Sequence, residues 1–459
     1  MNNKEYLERV IRAKFPDSAD WKDDFIEQLL NDGELLERAE QIIQEQTHIV
    51  ATVKAQFLLQ QIREEHLPLR NAKAGQAYSY AFELTDFPLN QLTILDIDGL
   101  EEIGLHYLPE SSTIEGVPTV AGNHELTAQF EVTSSGDRGT KVLRLIVNPD
   151  PRSLWKELEP DASLPFHKPH TASGVATLGE LTLVAASKRG RSHANNGTFR
   201  DDDYAFAELS DGWYCALVAD GAGSATYSRE GSRLTGAYFL EAVQQQLDST
   251  EAITAEQALD PDTHDEALDR FLKQTIGQAA RQTHERLTTH ADLHDHKLKD
   301  YHTTLAVALF KKFGEHYFIG TFSVGDCPIV LLDTDGQPTV LNHLDVGEYG
   351  GGTRFLTMSS IFLPENYLDR FQMRVVPQKE FGQLFLMTDG IYDPKFEVEN
   401  RLEQSDAWQQ FLADLRGENE EGATVELSAD NAQVGEQLLR WMDFWSKGNH
   451  DDRTLLIIF

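Results

Sequence analysis

Between residues 179 and 459 this chain repeatedly bounds apolar, strand-like segments with aspartate, and that pattern limits its folds more than any other feature. Ala-Leu-Val-Ala runs into Asp220 and Gly221, Phe-Ser-Val-Gly into Asp326, and Leu-Phe-Leu-Met-Thr into Asp389 and Gly390. Asp451 and Asp452 stand at the opposite kind of boundary, directly before Thr454-Leu-Leu-Ile-Ile. A single Asp-Gly after a strand is usually just a turn, so the weight lies in the set. In antiparallel neighbours the end of one strand and the start of the next share a sheet edge, which lets these carboxylates converge. Converging carboxylates repel unless protonated or neutralised, and hard divalent cations neutralise them best. Mg²⁺ or Mn²⁺ is the expected partner. Gly221 has a second rationale, since a backbone carbonyl can approach a metal there with no side chain in the way.

At 459 residues the chain exceeds what one core usually serves, so several domains are expected. Residues 1–68 carry apolar positions at helical spacing, among them Ile26, Leu29, Leu30, Ile42, Ile43, Val50, Val53 and Phe57, and read as a few helices ended by Leu67-Pro68-Leu69. Residues 69–150 change to short alternating runs such as Tyr78, Tyr80, Phe82 and Leu126, Ala128, Phe130. Within them Ile114-Glu-Gly-Val-Pro-Thr-Val-Ala-Gly-Asn-His resembles the strand-turn-strand signature of immunoglobulin-like and cadherin-like modules. That resemblance implies a small immunoglobulin-like β-sandwich, with Gly116, Pro118 and Gly122 as turn formers. Residues 151–178 read as a linker and 179–459 as a further domain. There, Ser228 to Leu247 and Asp265 to Leu287 are expected to be long helices; Tyr214 to Val218, Leu305 to Phe310, Tyr317 to Val324, Ile329 to Leu332, Gln383 to Met387 and Leu455 to Phe459 are expected to be buried strands. The order is not βαβ, which favours a β core flanked by helices.

Composition narrows the function. A formal charge of −35, from 40 basic and 75 acidic residues, opposes binding to nucleic acid or an anionic membrane through a generic basic surface. No apolar run approaches a membrane span. The polar start MNNKEYLERVIRAKF lacks the apolar core of a secretory signal, so the cytoplasm is the expected location. Cys215 and Cys327, the two cysteines, lie in apolar strand-like runs outside any CxxC and are read as buried and reduced.

Taken in order, these motifs resemble those of the protein phosphatase 2C family, the metal-dependent Ser/Thr phosphatases, and in particular its bacterial branch. Arg200-Asp-Asp202-Asp-Tyr-Ala-Phe is similar to the family's first acidic motif, and Val218-Ala-Asp220-Gly221-Ala-Gly223-Ser224 to its Asp-Gly-x-Gly motif. His302-Thr-Thr304-Leu stands where the family has Gly-Thr-Thr, Gly325-Asp326-Cys327 for Gly-Asp-Ser, and Thr388-Asp389-Gly390-Ile-Tyr-Asp393 for Ser-Asp-Gly-Leu/Ile-x-Asp. Asp451-Asp452-Arg-Thr454 stands for the closing Asp-Asn/Asp-x-Ser/Thr, and Gly347-Glu348-Tyr349 followed by Arg354-Phe-Leu also resembles the bacterial branch.

The resemblance implies a multidomain α+β chain whose C-terminal domain is an αββα sandwich with a two-metal site at one end of its sheets. Asp220 would bridge both ions. Asp389 and Asp451 would complete the first site, Asp202 and the carbonyl of Gly221 would serve the second, and Asp326 and Asp393 resemble the ligands of a weaker third metal. Two such ions activate a water in line with the phosphorus-oxygen bond and neutralise phosphoryl charge. The implied activity is hydrolysis of phosphoserine and phosphothreonine on proteins, opposing a Ser/Thr kinase. Two alternatives stay open: a degenerate phosphatase-fold module that binds phosphoproteins or metal, and a phosphatase of a small phosphorylated molecule.

The departures concern the groups around the metals. A phosphate-binding arginine is expected because its planar fork matches phosphate oxygens; both Arg191 and Arg200 flank the first motif, and Arg200 is the choice as a catalytic residue. The register of Asp201, Asp202 and Asp203 is open, since alternate strand residues face opposite ways, and Asp202 is the choice. Where eukaryotic members often carry His after Asp-Gly, this chain has Ala222. His193, in Gly190-Arg-Ser-His-Ala-Asn-Asn-Gly, resembles a Ser-His element of the bacterial branch, although a lone His more commonly serves structure.

Overall fold

A computed structural model describes residues 2–259, 266–345 and 353–459, so Gly347, Glu348 and Tyr349 lie outside the described residues. The chain divides into two compact units, Met1–Leu154 and Trp155–Phe459. Among the described residues no helix is long and apolar enough to cross a membrane.

The first unit opens with helices α1 (Asn3–Lys14), α2 (Asp23–Leu30) and α3 (Gly33–Glu64). Asn2 and Glu5 form a capping box on α1, and the Asp32 carboxylate accepts the Glu34 and Leu35 amides at the start of α3. Seven strands follow: β1 (Ala72–Lys73), β2 (Tyr78–Ala81), β3 (Leu92–Asp98), β4 (Leu105–Leu108), β5 (Thr113–Gly116), β6 (Gly122–Val132) and β7 (Arg138–Asn148). They form one sheet of order β1-β7-β6-β3 and another of order β2-β5-β4 around a shared core. The alternation in β6 and β7 is the cause, since Leu126, Ala128, Phe130, Leu143, Leu145 and Val147 all turn inward. Helical and β segments, read from sequence as separate regions, share that core: Ile62 of α3 is fully buried in it. The Lys141 ammonium on β7 donates to the carbonyls of Ile62 (2.8 Å), Arg63 (3.0 Å) and Glu65, closing the C-terminal end of α3.

The second unit is a four-layer αββα sandwich. Its elements run β8 (Thr171–Leu178), β9 (Leu181–Lys188), α4 (Arg191–Asn196), β10 (Asp203–Glu208), β11 (Trp213–Ala219), α5 (Ser228–Ser249), α6 (Ala255–Ala258), α7 (Glu266–Leu272) and α8 (Gln278–Leu293). Then come β12 (Leu305–Phe313), β13 (His316–Val324), β14 (Ile329–Asp333), β15 (Pro338–Val340), α9 (Pro364–Tyr367), β16 (Phe371–Pro377), β17 (Phe381–Met387), α10 (Asp389–Phe396), α11 (Ser405–Leu415), α12 (Val434–Trp441) and β18 (Arg453–Ile458). A five-stranded sheet of order β10-β11-β12-β13-β16 faces a six-stranded sheet of order β15-β14-β17-β18-β9-β8. Ala216, Val218, Ala306 and Ile319 of one sheet meet Leu183, Leu384, Leu386 and Leu456 of the other. Helices α5, α7 and α8 cover the outer face of the first sheet, and α10, α11 and α12 that of the second. Strands buried on both faces read as continuous apolar runs, which is why they were visible in sequence.

Two expectations need correction. The stretch 151–178 is not a connector throughout: β8 occupies its last eight residues and pairs from Thr171 opposite Lys188 to Leu178 opposite Leu181. Gly179, at φ +64°, is the turn of that hairpin and not a domain start. Only Leu178 of β8 is buried, and small or polar residues on an edge strand give little apolar signal. The long helix expected over 265–287 is interrupted as well, with α7 and α8 separated by a π-helical turn at Lys273–Gly277. A Cβ on Gly277 would lie 2.0 Å from the Tyr367 hydroxyl, so this turn accepts a side chain from another element.

Trp408 anchors the outer layer over the second sheet, fully buried against Phe385, Phe396 and Phe411, with its indole N–H donating to the Leu402 carbonyl at 2.8 Å. Trp408→Ala should destabilise this unit by about 3–5 kcal/mol through the cavity and the orphaned carbonyl. Guanidinium denaturation followed by circular dichroism measures it, and a loss too small to resolve would contradict the packing role.

Candidate metal centre

Strand register builds the site before any side chain is considered. Strand β11 ends at Ala219, opposite Asp203, so Asp220 emerges beside Asp201 and Asp202. Strand β13 ends at Val324, opposite Leu305, so Asp326 emerges beside Thr303 and Thr304 at the start of β12. In the other sheet Met387 at the end of β17 faces Leu455, and Arg453 at the start of β18 faces Lys188 at the end of β9. Thr388, Asp389, Asp451, Asp452 and Arg189 therefore leave their sheet at one edge.

Backbone contacts fix this edge closely. The Thr304 hydroxyl accepts the Asp220 amide at 2.8 Å, while the Asp220 carbonyl accepts the Thr304 amide at 2.8 Å and the Thr303 hydroxyl at 3.0 Å. A Cβ on Gly221 would lie 2.6 Å from the Asp201 carbonyl, and one on Gly390 would lie 1.9 Å from the Asp452 carbonyl. Neither approach admits a larger residue. Asp452, 1% exposed, accepts the Gly190 amide at 2.6 Å through Oδ1 and the Asp201 and Asp202 amides through Oδ2. It is a clasp between the two acidic segments.

The carboxylates gathered here raise one another. Burial, then the charges of Asp202, Asp389, Asp326 and Asp451, push Asp220 well above the usual carboxylate range. Burial followed by Asp451 and Asp202 pushes Asp389 up to about 9, and burial followed by Asp452 pushes Asp202 up to about 8. Asp326 is raised chiefly by burial, with Asp393 among its neighbours. Asp451 behaves differently: burial would raise it, but the hydrogen bond and charge of His193 prevail and hold it below its ordinary value.

Whether these residues suit divalent cations is answered by what their oxygens touch. Oδ2 of Asp202 accepts the hydroxyls of Thr388 at 2.7 Å and Thr454 at 2.9 Å. Oδ2 of Asp326 accepts the Thr353 hydroxyl at 2.9 Å, but Oδ1 is buried with no hydrogen-bond partner among the described residues. Donor atoms of Asp220, Asp326 and Cys327 lie within 4.8 Å of one another, as do those of His193, Asp451 and Asp452. An orphaned carboxylate oxygen amid mutually repelling carboxylates is what a hard cation would relieve. The donor set fits.

The structure separates the open choices of the first motif. Asp203 pairs with the buried ammonium of Lys168 at 3.0 Å, and Asp201 is within the charge field of His193 and Asp452, while Asp202 is the residue Asp220 feels most after burial. Arg200 is not at the surface of the site: it is 2% exposed and donates to the carbonyls of Pro169 at 3.2 Å and Asp202 at 3.1 Å. Its guanidinium ties the acidic segment to the preceding strap, so the expected phosphate contact is replaced by a structural one. Arg191 donates to the carbonyls of Phe444 and Asp443. Asp393 lies at the rim, accepting from the Asn449 amide at 3.2 Å.

Sequence reasoning undervalued three residues. His193, on α4, lies 3.1 Å from Asp451 Oδ1 through Nε2 and 2.8 Å from the Thr198 hydroxyl through Nδ1. Thr388, directly before Asp389, and Thr454, two residues after Asp452, both serve Asp202. Cys327 is free and buried as expected, yet it sits at the metal edge and not in the middle of a strand. Beside these residues opens a cleft of about 430 Å³ lined by Ser192, His193, Asp201, Thr226, Arg229 and Asp451, among others.

The family model described as Protein phosphatase 2C matches residues 189–437. Solved structures similar to this chain include a bacterial serine phosphatase, at 11% identity over 61% of this chain and 96% of that one with a TM-score of 0.37. Another is the catalytic domain of the serine threonine protein phosphatase PstP in complex with two manganese ions, at 17% identity over 61% and 97% with a TM-score of 0.36. A third is the serine/threonine phosphatase Stp1 from Staphylococcus aureus, at 12% identity over 66% and 97% with a TM-score of 0.36. No curated protein matches the chain.

The raised carboxyls fix a pH dependence. Above the ordinary value of 3.8 an unfolded chain releases protons that Asp202 and Asp389 retain when folded, so stability falls as pH climbs to about 9. His193, held up to about 10 because Asp452, Asp451 and Asp201 outweigh its burial, loses its contribution in the same direction. The metal-stripped protein should therefore melt at steadily lower Tm from about pH 5 to about pH 9, and saturating Mn²⁺ should flatten that slope. Differential scanning fluorimetry reads it, and a Tm that rises over this window would refute the repulsion.

Proposed function

The chain belongs to the protein phosphatase 2C family, and from that premise we propose that it is a metal-dependent hydrolase of phosphoserine and phosphothreonine on proteins. The observation that carries the reading is the convergence of Asp202, Asp220, Asp326, Asp389 and Asp451 at one sheet edge, with a buried oxygen on Asp326 that has no partner among the described residues. A binding module has no need of so many mutually repelling carboxylates.

In this reading Asp220, with Asp389 and Asp451 on one side and Asp202 and the Gly221 carbonyl on the other, would hold two cations, and Asp326 and Asp393 would hold a third, weaker one. When bound, Mn²⁺ or Mg²⁺ supplies an activated water and neutralises charge on the phosphoryl oxygens. The chain's own residues do the positioning. Thr388 and Thr454 hold Asp202 in one orientation, Thr303 and Thr304 fix the backbone of Asp220, and His193 orients Asp451 by hydrogen bonding, as outer partners of metal ligands commonly do. The side chain of Asp451 is 50% exposed, so this edge is open to a phosphorylated side chain carried on a larger molecule. A Ser/Thr kinase would supply such substrates.

Asp220→Asn deletes the shared charge and almost no volume. It should lower Mn²⁺-dependent hydrolysis of a phosphothreonine peptide by about a hundredfold or more while leaving the circular dichroism spectrum unchanged. Normal turnover by that variant would sink the assignment. Comparing the phosphopeptide with a phosphosugar tests the substrate class, and preference for the sugar would overturn the protein-substrate reading.

A further inference from the structure

The middle of α3 is exposed on every side. From Gln44 to Phe57 all side chains are exposed except the half-buried Ala55, whereas Ala39 before this stretch and Ile62 after it are buried. Seven of the twelve residues from Ile42 to Val53 are β-branched, a poor composition for a helix held only by its own hydrogen bonds, so packing against another body has to supply the stability. Ile42, Ile49, Val50, Val53 and Phe57, each 44% to 59% exposed, fall within an arc of about 100° and form one charge-free stripe. We propose that this stripe is a homodimer interface, on which α3 of a second copy lies antiparallel with the two-fold axis at Val53.

Spacing, charge and extent select a second copy of this helix. The stripe repeats every seven residues, from Ile42 to Ile49, from Val50 to Phe57, and from Gln46 through Val53 to Gln60. That period keeps a stripe facing another helix, whereas a strand or extended peptide repeats every two. Charge points to an identical partner: from Gln41 to Arg63 the only acid is Glu45, set against Lys54 and Arg63, in a chain with 75 acidic residues among 459. Two such acidic chains can meet at this near-neutral segment without repulsion, while a strongly charged protein or an anionic membrane finds no complement there. The exposed parts of the five apolar side chains amount to roughly 500 Å² per copy, so a pair would bury about 1,000 Å², enough for a specific interface. Centring the pair on Val53 sets Ile49 against the second copy's Phe57 and Gln46 against its Gln60, amides that each donate and accept. The antiparallel sense also holds two like-charged β bodies apart, because the sheets of the first unit pack on α3 near its C-terminal end, at Ile62.

Sedimentation velocity of the full chain tests the interface. Wild type at micromolar concentration should run near twice the chain mass of 51.7 kDa, and Val53→Glu should raise the dimer dissociation constant by about a hundredfold or more. Ala51→Glu adds the same charge on the opposite face of the helix and should leave the dimer intact. Near-ultraviolet circular dichroism reports whether each variant keeps its packed cores. Oxidative cross-linking reads the register without an added charge. Val53→Cys should link to itself and Ile49→Cys to Phe57→Cys, but Ile49→Cys should not link to itself, since its two copies would stand about 12 Å apart along the pair. Wild type, whose Cys215 and Cys327 are buried, should not link. A wild-type chain that stays at one chain mass, or a dimer that Val53→Glu leaves untouched or Ala51→Glu breaks equally, would overturn the interface. Self-linking of Ile49→Cys would overturn the antiparallel register. None of these measurements involves turnover, so the interface stands or falls separately from the phosphatase reading.

Discussion

Mutual repulsion among buried carboxylates is the constraint to which the rest of the second unit answers. Asp220 and Asp389, and Asp202 deep behind them, sit where each opposes the ionisation of the others. Such an arrangement persists only if the backbone cannot relax away from it. The two sheets supply that rigidity, since slipping any of β11, β13, β17 or β18 by one residue would exchange the side chains packed between the sheets with those packed beneath the helices. Threonine hydroxyls do the fine holding: they satisfy one oxygen of Asp202 and both backbone groups of Asp220 without adding charge.

That division explains what could be read from sequence. An aspartate at the end of an apolar strand is visible because burial on both faces makes the strand an uninterrupted run, and antiparallel pairing does the rest. The β core flanked by helices and the shared edge were legible for this reason, whereas the αββα layering was implied only by the family resemblance. Strand β8 was not, because an edge strand of Thr171, Ser173, Gly174 and Thr177 buries almost nothing. Arg200 misled for a related reason: its place beside the acidic motif suggested a ligand contact, but chemistry that suits a phosphate suits a pair of buried carbonyls equally well. His193 went the other way. A single histidine in sequence carries little information, and its value lies in Asp451, which is 258 residues distant along the chain.

The first unit shows the same economy with a different charge. Lys141 is 8% exposed, and its ammonium finds three carbonyls at the end of α3 where helical hydrogen bonding has run out. Burial lowers its pKa, yet a cation is the natural complement to the negative end of a 32-residue helix. Helix and sheet become one body through that contact and through Ile62, which is why a boundary drawn where periodicity changes, near residue 68, does not separate two cores.

The arginines leave a consequence for recognition. Arg191, Arg200 and Arg229 each direct guanidinium nitrogens at backbone carbonyls, Arg229 at those of Pro165, Phe166 and Thr226. A phosphate gripped by an arginine fork is read by the fork's geometry; one gripped chiefly by divalent cations is read by charge alone. On the proposed reading, selectivity then has to come from the cleft wall, where Leu164 and Phe199 offer apolar contact and Ser192, Asn196 and Thr226 offer hydrogen bonds. Leu164 belongs to the strap that Arg229 ties down through the Pro165 and Phe166 carbonyls, so that guanidinium shapes the surface against which a substrate must fit.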